Sequence, residues 1–193
     1  NQHKLMTVKV ESEVLRETQL VVCLLFQYAG MSFVDFAHLK ERNIKNGILD
    51  YNRQKTGTPM RLEILDTAEL MRKELMGDKR PASGYLFPFL SGTKTGYEAY
   101  LEYNAALSRF NRNLKALKKA AGIASDVTSY TIRHSFAMAL KEQNVPIEMI
   151  SELLGHKSIK TTQIYLRSFS LEKMTEVNST CFGCVYNYVS KVG

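Results

Sequence analysis

Over most of the chain, apolar residues recur every three, four or seven positions, as they do along one face of a helix. This spacing predicts helices over Val10–Tyr28, Ser32–Leu39, Thr67–Met76, Tyr97–Ala121, Thr131–Gln143, Ile147–Leu154, Ser158 to about Phe169, and Leu171–Val177. The long helix Tyr97–Ala121 is expected to bury one face, formed by Tyr100, Tyr103, Leu107, Phe110, Leu114 and Leu117. Gly155 is expected to end one helix and Ser158 to cap the next.

One stretch has a different rhythm. Apolar and polar residues alternate from Met60 to Leu65, after a turn-forming segment, Thr56-Gly57-Thr58-Pro59. We therefore expect a β-hairpin with strands Gly47–Lys55 and Met60–Leu65. The predicted fold is mainly α-helical with this small antiparallel sheet. The loop between residues 78 and 97 should be held to the core by Tyr85-Leu86-Phe87.

Length and composition limit the possible classes of protein. A chain of 193 residues with 45% apolar residues is sufficient for one well-buried core. It has no segment of about 18 uninterrupted apolar residues, and we expect no secretory leader. Because it starts at Asn1 rather than Met, we expect it to be a fragment. The net charge of +7 favours nucleic acid or another acidic partner, although an ordinary lysine-rich surface explains it equally well.

The three cysteines predict neither a disulfide framework nor a metal site. Cys181 and Cys184 form one CxxC pair, and Cys23 lies far from them in the sequence. A structural zinc site needs about four ligands, and the chain has no second pair. We expect reduced thiols in a cytoplasmic protein, with no metal and no cofactor.

Two segments carry a recognisable pattern. Tyr130-Thr131-Ile132-Arg133-His134 is followed by Leu154-Gly155-His156, and Tyr165 lies nine residues beyond that histidine. This order and spacing resemble the tyrosine recombinase (phage integrase) family, which reads His-x-x-Arg-His, Leu-Gly-His and then Tyr. The resemblance covers roughly residues 5–178 and extends to integrases of bacterial mobile elements. Ala29-Gly30-Met31 with Asp35, and the hairpin around Lys55-Thr56-Gly57, resemble two further family segments.

The resemblance implies a recombinase catalytic-domain fold and a set of roles. Tyr165 would be the nucleophile that forms a 3′-phosphotyrosine, and Arg133 would clamp the phosphate. His156 would donate to the phosphate, Lys55 would protonate the leaving oxygen, and His134 would support the site.

These residue types suit phosphodiester transesterification on chemical grounds. With a pKa near 10, only about a thousandth of free tyrosine is ionised at neutral pH, so Tyr165 needs nearby positive charge or a base. The planar fork of Arg133 fits two phosphate oxygens. A phosphotyrosine also conserves the bond energy, so resealing needs no ATP. Ordinary alternatives remain for each residue: a helical tyrosine, a surface salt bridge, a turn lysine and a local histidine cap.

The chain departs from the family pattern at two positions. Ser32 stands where the first family arginine is expected, and Tyr130 replaces the usual histidine. Losing a charged phosphate contact costs about 1.5–3 kcal/mol. Either the chain is a catalytically weakened relative, or another cation fills the gap. Arg53 is the candidate, because residues two apart in a strand share a face and Arg53 would then point the same way as Lys55.

Other readings of the sequence remain open. The segments Ile147–Leu154 and Ser158–Leu166 also fit a non-enzymatic helix-turn-helix module. A metal nuclease is disfavoured by the lack of a carboxylate cluster. A type IB topoisomerase would cleave DNA by the same chemistry as a recombinase, so the sequence does not separate these two activities.

The resemblance also sets expectations for domains and partners. Residues 1–178 would form the catalytic domain, with N-terminal DNA-binding domains missing. The apolar tail, residues 179–193, would dock on a neighbouring protomer or, equally, on its own core. Expected partners are double-stranded DNA, further copies in a tetrameric synapse, and accessory DNA-bending or directionality factors. We expect no membrane partner, and a location at the nucleoid.

Overall fold

The computed structural model describes residues 2–79, 81 and 84–166. Eight helices and three strands are found there: α1 Gln2–Thr7, α2 Glu13–Gln27, α3 Phe33–Ala37, β1 Ile44–Lys45, β2 Ile48–Asn52, β3 Pro59–Glu63, α4 Asp66–Met76, α5 Gly96–Ala120, α6 Ser129–Glu142, α7 Ile147–Leu153 and α8 Ile159–Tyr165. A 3₁₀ turn, Glu41–Asn43, precedes β1. The predicted class, mainly helical with a small antiparallel sheet, is confirmed.

Helix α2 lies at the centre of the core. Its residues from Thr18 to Leu25 are all buried, and it packs against α1, α4, α5 and α6. A helix surrounded in this way has no solvated face over those turns, which explains the nearly continuous apolar run in its sequence. Leu86 and Phe87, from the loop before α5, are buried in the same core, as predicted.

The sheet is antiparallel, in the order β1-β2-β3, and Tyr51 of β2 pairs with Met60 of β3. The short strand β1 was not predicted. Strand β2 ends at Asn52, three residues before the predicted end, because the backbone closes into a turn. The Arg53 N–H donates to the Thr58 carbonyl, and the Arg53 carbonyl accepts from the Gly57 N–H.

This turn corrects the prediction that Arg53 and Lys55 share a strand face. Neither residue lies within β2, and Arg53 is buried whereas Lys55 is exposed. The alternation rule applies only to extended backbone, and the turn of residues 54–56 has already left that conformation.

Most predicted helices are present with shifted ends. Ser32 caps α3 rather than belonging to it, and Thr128 caps α6 by accepting from the Thr131 N–H. Tyr100 is 59% exposed, so its predicted place on the buried face of α5 is wrong; the buried residues of that helix are Ala106, Phe110, Leu114 and Leu117. Helix α1 was not predicted.

Helices α6, α7 and α8 share a second, smaller apolar cluster, made of Ala137, Ile150, Leu154 and Leu166. Gly155 adopts φ +60° directly after α7, and Ser158 accepts from the Lys160 N–H at the start of α8, as predicted. The predicted helix end at Phe169, the helix over Leu171–Val177, and the tail with Cys181 and Cys184 lie outside the described residues. No helix within the described ranges combines the length and hydropathy needed to cross a bilayer.

Candidate active site

Arg133 lies on α6 and is 7% exposed, so it is a buried residue. Its Nη1 donates to the Gly30 carbonyl at 2.9 Å, and its Nη2 donates to the Leu154 carbonyl. Gly30 adopts φ +63° against the ring of Phe136, where an added Cβ would lie 2.8 Å from the ring. Glycine therefore allows the chain after α2 to approach α6 closely enough to present its carbonyl to Arg133.

Arg53 reaches the same place from the β2–β3 turn and is 8% exposed. Its Nη1 donates to the carbonyls of Leu154 and Gly155, at 3.0 Å each, and its Nε lies 3.4 Å from Asp35 Oδ2. The two guanidinium groups therefore meet at one backbone oxygen, that of Leu154. This places two buried positive charges beside the α7–α8 turn.

Asp35 connects α3 to the hairpin turn. One carboxylate oxygen accepts from the Gln54 N–H at 2.7 Å, and the other accepts from the Ser32 hydroxyl at 2.5 Å and faces Arg53. Ser32 also caps α3. Ser32 therefore has a structural use in this chain, and the buried cation beside Asp35 comes from Arg53 of the hairpin.

His156 lies in the α7–α8 turn and is half-buried. Its Nδ1 is 2.9 Å from the hydroxyl of Thr162 on α8. Burial, and then the positive charges of Arg133 and Arg53, lower the pKa of His156 to about 4. The imidazole is therefore neutral at pH 7, with its proton on one nitrogen.

The remaining predicted site residues lie at the periphery. Lys55 is exposed in the hairpin turn, and Tyr130 is 63% exposed in the first turn of α6, three residues before Arg133. His134 is half-buried on the same helix. No hydrogen bond or ion pair joins Lys55 to the part of the chain that the structure describes.

Tyr165 is the last residue of α8, three positions after Thr162. Because Thr162 is fully buried beside His156, α8 is fixed to the turn that holds the two arginine contacts. Tyr165 therefore ends the helix that begins directly after this turn.

Sequence reasoning missed Thr162 and the roles of the carbonyls of Gly30, Leu154 and Gly155. Thr162 had only a weak signal, as a polar residue three positions before Tyr165. The carbonyls had none, because their partners lie up to 103 residues away.

The chain is similar to known proteins in sequence and in fold. The sequence profile of the phage integrase family matches residues 2–172. The tyrosine recombinase XerD of Lacticaseibacillus casei is 52% identical over 54 residues, which is 28% of this chain and 18% of the relative. XerC of Rickettsia typhi (strain ATCC VR-144 / Wilmington) is 41% identical over 75 residues, 39% of this chain and 24% of the relative. These matches span less than a quarter of the relatives' length.

Solved structures share the fold. The XerA recombinase superposes with a TM-score of 0.67 at 20% identity, over 93% of this chain and 60% of that one. The Tn1549 transposon integrase, in complex with a circular intermediate DNA, gives 0.66 at 14% identity, over 92% and 63%.

Proposed function

Because the chain belongs to the phage integrase family, we propose that it cleaves and rejoins DNA strands through a phosphotyrosine at Tyr165. The observation that carries this proposal is that Arg133 and Arg53 both donate to the Leu154 carbonyl at the α7–α8 turn. The same turn contains His156 and precedes α8, the helix that ends in Tyr165. Two buried cations at one point suit a phosphate that gains negative charge in the transition state.

The proposed reaction exchanges one phosphate ester for another. The Tyr165 hydroxyl loses its proton to solvent, and its oxygen attacks the phosphorus and forms a 3′-phosphotyrosine, while the bond to the 5′ oxygen breaks. Lys55 gives a proton to that oxygen, which leaves as a hydroxyl. Rejoining reverses these steps with a 5′ hydroxyl as the attacking group, so neither ATP nor a metal enters the balance.

Arg53 is proposed to supply the cation that Ser32 does not. Its Nε faces Asp35 and its Nη1 donates to two carbonyls, while Nη2 donates to none of the described residues. A guanidinium held on one side and open on the other is suited to bind a phosphate oxygen without a further ordering cost. Arg133 and His156 would contact the remaining phosphate oxygens, with His134 and Tyr130 in support.

We further propose double-stranded DNA as the substrate, consistent with the net charge of +7. Residues 1–178 would act as the catalytic unit within a homo-oligomer on DNA, with the tail, residues 179–193, docked on a neighbouring protomer. The same proposal includes further DNA-binding regions, accessory DNA-bending or directionality factors, and action at the nucleoid.

The test is trapping of the covalent intermediate. The protein is incubated with a nicked half-site whose cleaved fragment diffuses away, and an SDS-resistant protein–DNA adduct is sought. We expect an adduct with the wild type and with Tyr97→Phe, an exposed tyrosine on α5, but none with Tyr165→Phe. An adduct that survives Tyr165→Phe removes Tyr165 as nucleophile. Specific DNA binding without any adduct supports the helix-turn-helix alternative.

A further inference from the structure

Thr162 is a polar side chain in a position where helices usually place an apolar one. It is fully buried on α8, and its hydroxyl lies 2.9 Å from Nδ1 of His156. No backbone carbonyl of the described residues accepts from this hydroxyl. Among the described residues, the hydrogen-bond partner of this buried hydroxyl is therefore Nδ1 of His156.

The direction of this hydrogen bond follows from what each group can do. A buried hydroxyl hydrogen without an acceptor is costly, so the Thr162 hydroxyl donates to the nearest acceptor, Nδ1. A neutral imidazole has one nitrogen that accepts and one that carries hydrogen. When Nδ1 accepts, the hydrogen resides on Nε2.

Burial and the two neighbouring cations act in the same direction. Arg133 of α6 and Arg53 of the hairpin turn both disfavour a second proton on the ring. The imidazole then keeps a single N–H, and a hydrogen bond accepted by Nδ1 favours its position on Nε2.

We propose that Thr162 is a positioning residue for the cleavage reaction: its hydroxyl donates to Nδ1 of His156 and fixes the ring hydrogen on Nε2, the nitrogen that donates to the scissile phosphate. This inference rests on the proposed function, because it assigns a use to Nε2–H during cleavage. It also defines His156 as a neutral donor rather than a base for Tyr165, which would require the opposite tautomer.

The chain provides a matched control, because Thr161 is the exposed neighbour of Thr162 on the same helical turn. Thr162→Val keeps the shape and removes the hydroxyl, and Thr162→Ser keeps the hydroxyl. We expect Thr162→Val to slow single-turnover cleavage of the nicked half-site about tenfold, while DNA affinity stays within about threefold. Thr162→Ser and Thr161→Val should stay within about threefold of wild type in both measurements.

Two kinetic results would overturn the inference: a wild-type cleavage rate in Thr162→Val, or a rate in Thr162→Ser as low as that of Thr162→Val. The second result would show that packing, not the hydroxyl, matters at this position.

A spectroscopic measurement tests the same point without catalysis. In the DNA-free wild type, ¹⁵N chemical shifts of the His156 ring, assigned by their loss in His156→Gln, should place the hydrogen on Nε2. A hydrogen on Nδ1 would overturn the inference. This readout separates the two proposals, because failure of the wild type to form an adduct counts against the proposed function and leaves the tautomer measurement intact.

Discussion

At the scale of single residues, Arg53 is the residue that distinguishes this site from the family's sequence pattern. The strand argument that selected it was wrong, since it lies in a turn and is buried away from Lys55. Its contacts nevertheless give a physical reason why Ser32 can stand where the family pattern has an arginine. Asp35 is satisfied by the Ser32 hydroxyl, the Gln54 N–H and the Arg53 guanidinium together, so the cation enters from the hairpin.

Replacing Arg53 by lysine separates charge from geometry. Arg53→Lys keeps one positive charge but cannot reach two carbonyls, Asp35 and a phosphate at once. We expect the rate of adduct formation to fall about tenfold to a hundredfold. Arg61→Lys, an exposed change on β3, is the matched control and should leave the rate unchanged. Unchanged rates in both Arg53→Lys and Arg53→Ala would exclude Arg53 as the compensating cation and favour a weakened relative.

At the scale of elements, local patterns identified the helices and the hairpin but not the contacts between them. The periodicity that predicted α5 and the turn chemistry around Gly57 depend on neighbouring residues, and both elements are present. Strand β1 has two residues, too few to show alternation. The burial of Arg53 could not be predicted, since its partners are backbone carbonyls 101 and 102 positions further along the chain. Every residue has such a carbonyl, so the sequence does not indicate which one will bind an arginine.

Gly155 is where the hairpin and the α7–α8 turn come closest. A Cβ there would lie 2.5 Å from Met60 Sδ and 2.7 Å from Arg53 Cδ, at φ +60°. Arg53 cannot retreat without losing its carbonyl contacts. Gly155→Ala should therefore lower the free energy of unfolding by about 2–4 kcal/mol, from left-handed strain and overpacking together.

The control for this change is Gly122→Ala, where φ is +63° but no atom lies within 4 Å of the added Cβ. Only the backbone strain applies there, so we expect a loss of about 1 kcal/mol. Urea unfolding of both variants measures the difference. Equal losses would show that the close approach of the hairpin to Gly155 contributes nothing to stability.

At the scale of the whole molecule, the described residues form two apolar clusters of unequal size. The large one surrounds α2, and the small one holds α7 and α8 against α6. Charged hydrogen bonds from Arg53 and Arg133 connect the α7–α8 turn to the hairpin and to α6, both of which pack on the rest of the fold. The site therefore lies at the junction of these clusters, and its protonation state is linked to the stability of the fold.

This linkage has a defined sign at His156. Its pKa is about 4 in the folded protein and 6.5 in the unfolded chain, so the unfolded chain binds more protons between these values. The stabilisation is complete above pH 6.5 and is lost as pH falls toward 4. Because the ring is half-exposed, solvent screening reduces the effect, and we expect about 1 kcal/mol over this window.

Carboxylates titrate over part of the same range, so the measurement must isolate His156. The free energy of unfolding is determined between pH 7 and pH 4 for the wild type and for His156→Asn, which cannot titrate. Subtracting the two curves removes groups common to both, and the wild type should lose about 1 kcal/mol more than the variant. Parallel curves would mean that His156 takes up its proton equally well in the folded protein, which would contradict both its burial and its proximity to the two arginines.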